Sequence, residues 1–289
     1  MHTPVLLQEV VDSLQVKHGD VFLDCTLGNS GHSRAIAKAA EGPITLICMD
    51  EDESAIARAR RNFTDSEINA ILCRENFRNL DIVLSRNNIK NIDAVLFDLG
   101  VSTEELLESG RGFSFQKDEP LLMTFNKDAE WTARDVVNKW SEESLESIIR
   151  GFGDEKYSKR IAKAIVATRA ISPIETSKQL ADIIIGTIPF HGKTHPATKT
   201  FQAIRIAVND EFGALREGLQ KATVALNSGG RCSVISFHSG EDRIVKRFFK
   251  ELEKSGKGIA SKKPIVPSKK EILKNARARS AKMRVFIKT

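Results

Sequence analysis

The stretch "LDCTLGNSGHS", Leu23 to Ser33, carries the fold in the order of its residue types. It completes "DVFLDC" (20–25), a nearly continuous apolar run, and leads into a helical pattern near 32–40. A buried strand that breaks through a glycine turn into a helix is the first half of a βαβ unit. The alternation continues with strand "ITLICMD" (44–50), helix "SAIARARRNF" (54–63) and strands "AILC" (70–73) and "DAVLFDLG" (93–100). Strands apolar along their whole length belong to a parallel sheet covered by helices on both faces.

Upstream, Thr3-Pro4 reads as an N-cap and first-turn proline of a helix with Leu6, Leu7, Val10, Val11 and Leu14 on one face. After Gly100 the pattern changes, and residues 105–198 offer short helices and no convincing strand. Ser141 starts one with Leu145, Ile148, Ile149 and Phe152 on its face, and 154–170 carries Tyr157, Ile161, Ile165 and Val166. Thr176 and Gln179 make a capping box before Leu180, Ile183 and Ile184. A long helix from Phe201 to Leu226 follows, ended by Ser228-Gly229-Gly230, then strands "RCSVISF" (231–237) and "MRVFIK" (283–288). The expected organisation is an α/β domain, residues 1–104 and 199–289, interrupted by a helical insert, 105–198. The Lys/Ser/Pro segment 254–270 reads as a loop.

Composition fits a soluble globular chain: 289 residues, 41% hydrophobic and 28% charged. The opening "MHTPVLLQEVVDSL" lacks the pattern of a signal peptide, and no apolar run approaches the roughly 18 residues of a membrane span. Cys25, Cys48, Cys73 and Cys232 are scattered and form no C-x-x-C pair, as expected of reduced core residues in a cytoplasmic protein, without a metal site or disulfide frame. Charge is uneven: from Glu251 to Thr289 there are 12 Lys/Arg and 3 Asp/Glu, a net +9, against +6 for the chain. A solvated tail is the plainer reading. A phosphate-rich partner is the other, because counterion release makes such a cluster useful on nucleic acid.

The turn itself narrows the ligand. Gly28 and Gly31 let a ligand approach the backbone, and Asp50 ends the second strand 22 residues after Gly28, where an acid meets ribose hydroxyls. The turn reads G-N-S-G-H-S, which is neither a dinucleotide G-x-G-x-x-G nor a P-loop. Asp24 would repel a pyrophosphate but suits an ammonium group; alternatively it is a structural carboxylate bound to the turn's amides. S-adenosylmethionine has the ribose, the ammonium and no phosphate. Asp98 ends the fourth strand in "FDLGVS", placed either to position a methyl donor and accept from an amine or simply to cap the next turn.

With these residues placed, the chain resembles the ribosomal RNA small subunit methyltransferase H family, which methylates N4 of a cytidine in 16S rRNA. The matching segments include "HTPVLLQEV", "DCTLGNSGHS", "DLGVS", "RGFSF", "KRIAKAIV", "HPATKTFQAIRIAVNDE", "GGRCSVISFHSGEDRIVKRFF" and "NARARSAKMR", from His2 to Arg284. The resemblance implies a class I S-adenosylmethionine-dependent methyltransferase fold, Rossmann-like with a mostly parallel sheet, and an inserted helical domain that recognises substrate. It implies cofactor contacts at Ser30, Gly31, His32, Asp50, Phe77 and Asp98, with Glu105 at the place of a cofactor-contacting glutamine. By the residues alone Phe77 is equally a core side chain. Other departures are Ser30 for the middle glycine of G-x-G-G-H-S, "PLLMTFN" (120–126) for P-L-D-M-R-M-D, and Gly240 for leucine. Ser30 is expected to tighten the approach to the cofactor and alter its affinity.

N4 methylation needs positioning and electrostatics and no covalent nucleophile. Asp98 is the expected catalytic residue and His238 a secondary candidate. His195 fits either an RNA phosphate or a structural anchor. Arg277, Arg279, Lys282 and Arg284 beside the last strand, and Arg243, Lys246 and Arg247 after "SFHSGED", are candidates for contact with 16S rRNA of the small ribosomal subunit. A methyltransferase on another RNA and a cofactor-binding assembly factor are the competing readings. Oligomeric state is open, a homodimer included.

Overall fold

The computed structural model describes residues 4–64, 68, 70–102, 106, 109–189 and 195–289. Seven strands form one sheet in the order β3-β2-β1-β4-β5-β7-β6. β1 (Val21–Asp24), β2 (Thr45–Asp50), β3 (Ala70–Arg74), β4 (Ile92–Asp98) and β5 (Leu226–Ser236) run parallel. β7 (Lys282–Lys288) lies antiparallel between β5 and the short edge strand β6 (Gly258–Ala260). This is the Rossmann-like class I methyltransferase sheet. The chain reverses its direction of build between β1 and β4, the switch point beside which ligands bind in open α/β sheets.

Two chain units emerge, Met1–Gly100 with Phe212–Thr289, and Val101–Glu211. In the first, α1 (Leu7–Leu14) precedes β1, and α2 (Gly31–Ala39), α3 (Glu53–Thr64) and α4 (Leu80–Arg86) connect the early strands. Successive strand residues feed opposite faces: Phe22, Leu46 and Leu96 join one buried cluster, Leu23, Ile47 and Phe97 the other. That double burial is why these strands carry no polar alternation. The second unit packs α5 (Ala133–Lys139), α6 (Glu142–Gly151), α7 (Ser158–Arg169), α8 (Ser177–Thr187) and α9 (Thr198–Asn209) around Leu121, Val137, Leu145, Ile161, Leu180 and Phe201. Ser141 and the Thr176/Gln179 box cap α6 and α8 as their sequence signals require. The remaining elements are α10 (Glu211–Ala225), α11 (Ser239–Lys254) and α12 (Lys269–Lys274).

Several expectations change. The long helix from Phe201 is two helices, because Asp210 adopts the left-handed conformation (φ 46°) between α9 and α10. Phe201 and Ile204 then join the core of the second unit, while Leu215 and Leu219 join the sheet's. The unit limits accordingly fall at 100/101 and 211/212, whereas the sequence pattern placed them at 104/105 and 198/199. Leu226–Gly230 is strand, since β5 already pairs with Ile92 at Leu226. Thr3 lies outside the described residues; Pro4 precedes α1, whose start is set by Leu6 in the left-handed region (φ 55°). Segment 254–270 is pinned to β7 through β6 and the Ile265–Met283 bridge. Among the described residues, no helix is long and apolar enough to cross a membrane.

Candidate active site

β1, β2 and β4 each end in an aspartate, and the turns beyond them bind each carboxylate differently. Asp24 is buried, one oxygen accepting from Ser33 Oγ and the other from the Thr26 amide (3.1 Å). Burial raises its pKa against the opposing pull of Ser33 and His32. Asp50 accepts from the Gly28 amide and the Asp52 amide, each at 2.9 Å. Asp98 is tied to the first turn by its own amide, which donates to Thr26 Oγ1 (2.6 Å). Its Oδ2 lies 3.5 Å from His32 Nδ1, and its Oδ1 is buried with no hydrogen-bond partner among the described residues. Burial, with the Glu241 carboxylate nearby, pushes the Asp98 pKa up to about 7.

The turn explains its own composition. Gly28 has φ +50°, and a side chain placed there would point into open space. Ser30 closes the turn at φ 62°, in the left-handed region that favours glycine. Its hydroxyl is buried and unpartnered among the described residues. Gly31 begins α2 beneath Pro4, whose ring would overlap any Cβ added at that position. Next to it, His32 Nε2 donates to the Val5 carbonyl at 3.0 Å.

Asp24, Gly28, Ser30, Gly31, His32, Asp50 and Asp98 therefore stand at the carboxyl ends of β1, β2 and β4. Asp24 is enclosed with both oxygens engaged, so direct contact with a cofactor ammonium gives way to its alternative role, holding the turn. Phe77, after β3, is half-buried edge-on against Phe97 with ring centroids 5.4 Å apart. Glu105 lies outside the described residues.

His238 lies at the start of α11, directly after β5. It N-caps α11: its Nδ1 accepts from the Glu241 amide (3.4 Å), while Glu241 Oε2 accepts from the amides of Phe237 (2.8 Å) and His238 (3.3 Å). His195 stacks on Phe115 (4.1 Å) and its Nδ1 accepts from the Ala197 amide (3.2 Å). Arg284 is buried against Asp242, Nε to Oδ1 at 2.7 Å, and Lys282 is 3.5 Å from the same carboxylate. Burial opposes ionisation of Asp242, yet these two cations hold its pKa below the usual range. Arg284 is thus a structural cation. Sequence reasoning missed Val5, Thr26, Ser33 and Glu241, and none carried a signal: a capping box begun by histidine does not match the Ser/Thr pattern.

The match to known proteins runs from end to end. The family model for the MraW methylase family covers residues 1–289. The chain belongs to the MraW methylase family. It is 45% identical to the ribosomal RNA small subunit methyltransferase H of Clostridium botulinum (strain Loch Maree / Type A3), over 98% of this chain and 97% of that protein. It is 41% identical to the protein of the same name from Clostridioides difficile (strain 630), over 98% and 97%. For a MraW methylase the departures at Gly240 and in "PLLMTFN" take physical form. At Gly240 an added Cβ would stand 2.6 Å from Phe212 Cζ, so glycine there and the Phe212 ring are matched. Leu121, Met123 and Thr124 are buried in the second unit, with Arg111 Nη1 donating to the carbonyls of Thr124 (2.8 Å) and Phe125 (2.7 Å). The apolar residues of that stretch serve packing.

Proposed function

We propose that this chain moves the methyl group of S-adenosylmethionine to the N4 amine of a cytidine in 16S rRNA of the small ribosomal subunit. The observation that carries the reading is end-to-end similarity, at 45% and 41% identity, to relatives named ribosomal RNA small subunit methyltransferase H. The residues present fit the cofactor. Asp50 and Asp98 end β2 and β4 with carboxylates that suit hydroxyl groups and a sulfonium, and Leu23–Ser33 holds no Lys or Arg for a pyrophosphate. Space is open beyond Gly28. We assign Asp50 to the ribose, the amides of Gly31 and His32 at the start of α2 to the carboxylate, and Phe77 to the adenine. Glu105 is carried as a cofactor contact on the resemblance alone, and substrate recognition is given to the helical unit.

Bound there, S-adenosylmethionine supplies a methyl group activated by its sulfonium. The chain supplies position and charge. The N4 lone pair is conjugated with the ring, so an acceptor on its N–H favours rehybridisation, and the Asp98 carboxylate, its side chain part-exposed at the end of β4, is that acceptor. The nitrogen sheds a proton as it gains the methyl group, and an ionised Asp98 can take it. The thiols of Cys25, Cys48 and Cys232 are buried, which pushes their pKa values up and makes them poor nucleophiles. The target base must be unstacked to reach such a site.

The test is transfer of labelled methyl to small subunits purified from a strain lacking the gene, followed by digestion to nucleosides. Label in N4-methylcytidine is expected. Cofactor binding with no label in the RNA would favour the assembly-factor reading instead.

A further inference from the structure

His32 is held at both ring nitrogens, and the two partners make opposite demands on it. Nε2 lies 3.0 Å from the Val5 carbonyl, which only accepts, so Nε2 carries the ring proton. A neutral ring then turns the Nδ1 lone pair toward Asp98 Oδ2, 3.5 Å away. Two lone pairs facing one another at a largely buried site repel, and the other carboxyl oxygen has no donor among the described residues to relieve its charge. A single proton placed between them turns that repulsion into a hydrogen bond or an ion pair. We propose that His32 and Asp98 hold one proton jointly, and that His32 is a positioning residue that sets the ionisation of Asp98.

The surroundings favour sharing. On β1, Asp24 has its oxygens taken by Ser33 and Thr26 and is not paired with the ring. On α11, Glu241 adds negative charge near Asp98 while its own carboxylate is bound in the capping box with His238. Burial lowers the His32 pKa, against the opposing effects of Asp24 and the Val5 bond. Burial and Glu241 raise that of Asp98 to about 7, so burial moves the acid and the base in opposite directions, toward one another. Two sites on one proton bind it more tightly than either alone, and the step belongs to the pair. Below that midpoint Asp98 cannot accept the proton shed by an amine; above it, it can.

The role in methyl transfer rests on the function proposed above; the shared proton does not, and the experiment separates them. Histidine 15N and aspartate 13C shifts are followed against pH in the cofactor-free protein, with His32→Gln and Asp98→Asn beside it. His32 and Asp98 are expected to titrate at a common midpoint. His32→Gln keeps a donor for Val5 but has no basic nitrogen, and should lower the Asp98 midpoint by about one pH unit or more. Asp98→Asn should lower the His32 midpoint similarly. If either substitution leaves the other residue's midpoint in place, the pair is not shared and the proposal fails. Should His32→Gln not fold, the Asp98→Asn arm decides alone. In turnover, kcat/KM should rise with pH through the midpoint, and the limb should move down in His32→Gln by the amount seen in the spectra. A purely structural His32 would lower kcat/KM at every pH without moving the limb. Absence of methyl transfer in the unmodified protein would defeat the functional reading and leave the spectroscopic result standing.

Discussion

A carboxyl group such as Asp98, set beside Glu241 with one oxygen unpartnered among the described residues, destabilises the protein that keeps it. Its pKa rises from the ordinary 3.8 to about 7, so the folded state binds this proton more tightly than the unfolded chain. The linked stability is complete at low pH and is lost as pH rises from about 4 through 7. Asp98→Asn should therefore gain about 1–3 kcal/mol at pH 8 and little at pH 4, read from urea unfolding at the two values. The same substitution should cost at least about 100-fold in methyl transfer, because an amide oxygen still accepts a hydrogen bond but carries no charge and cannot take the proton the amine sheds. Ser30 is a second strained residue. Replacing it by glycine relieves the left-handed conformation and a buried unpartnered hydroxyl, for a gain of about 1 kcal/mol. Since that hydroxyl is fully enclosed, titration with S-adenosylmethionine should give an unchanged Kd. A changed Kd would return Ser30 to the role its sequence position suggested. The three strand-end acids were legible because strand ends and glycine turns mark themselves. The partner of His32 was not, since the carbonyl of Val5, 27 residues upstream, has no signature in residue type.

Among the elements, α11 and β7 show how a basic residue can be misread. Arg284 looks like an RNA contact in a run with Arg277, Arg279 and Lys282, yet it is the buried partner of Asp242 on α11. Removing one half of such a pair strands the other. Asp242→Ala should cost about 2–4 kcal/mol by denaturant unfolding, and Arg284→Ala a similar amount. His238 also caps α11, a role that its position after β5 did not signal. Capping boxes written with threonine and glutamine at 176 and 179 were readable; one written with histidine was not. The break at Asp210 was hidden for another reason. One left-handed residue between α9 and α10 leaves the spacing of Phe201, Ile204, Leu215 and Leu219 close to three and four, so periodicity runs through it.

Over the whole molecule, the strand–helix alternation and the helical unit were legible in the residue pattern, whereas the order of the sheet, with β7 antiparallel between β5 and β6, and the assignment of charge were not. With Arg284 and Lys282 engaged by Asp242, the cations facing solvent in the C-terminal region include Lys262, Lys263, Lys269, Lys270 and Lys274. Their segment is fixed by the Ile265–Met283 bridge and by Glu271, which accepts from the Leu6 amide at 2.8 Å. Changing these lysines to glutamine should weaken rRNA binding, with a slope of log K against log salt smaller by about 0.7 for each phosphate that is no longer neutralised. S-adenosylmethionine affinity should not change. The nucleoside that acquires label when small subunits lacking the modification are incubated with the protein and labelled S-adenosylmethionine decides the reaction. N4-methylcytidine is expected, with its label lost in Asp98→Ala at unchanged fold. Label in another nucleoside, or an Asp98→Ala protein as active as the parent, would contradict it.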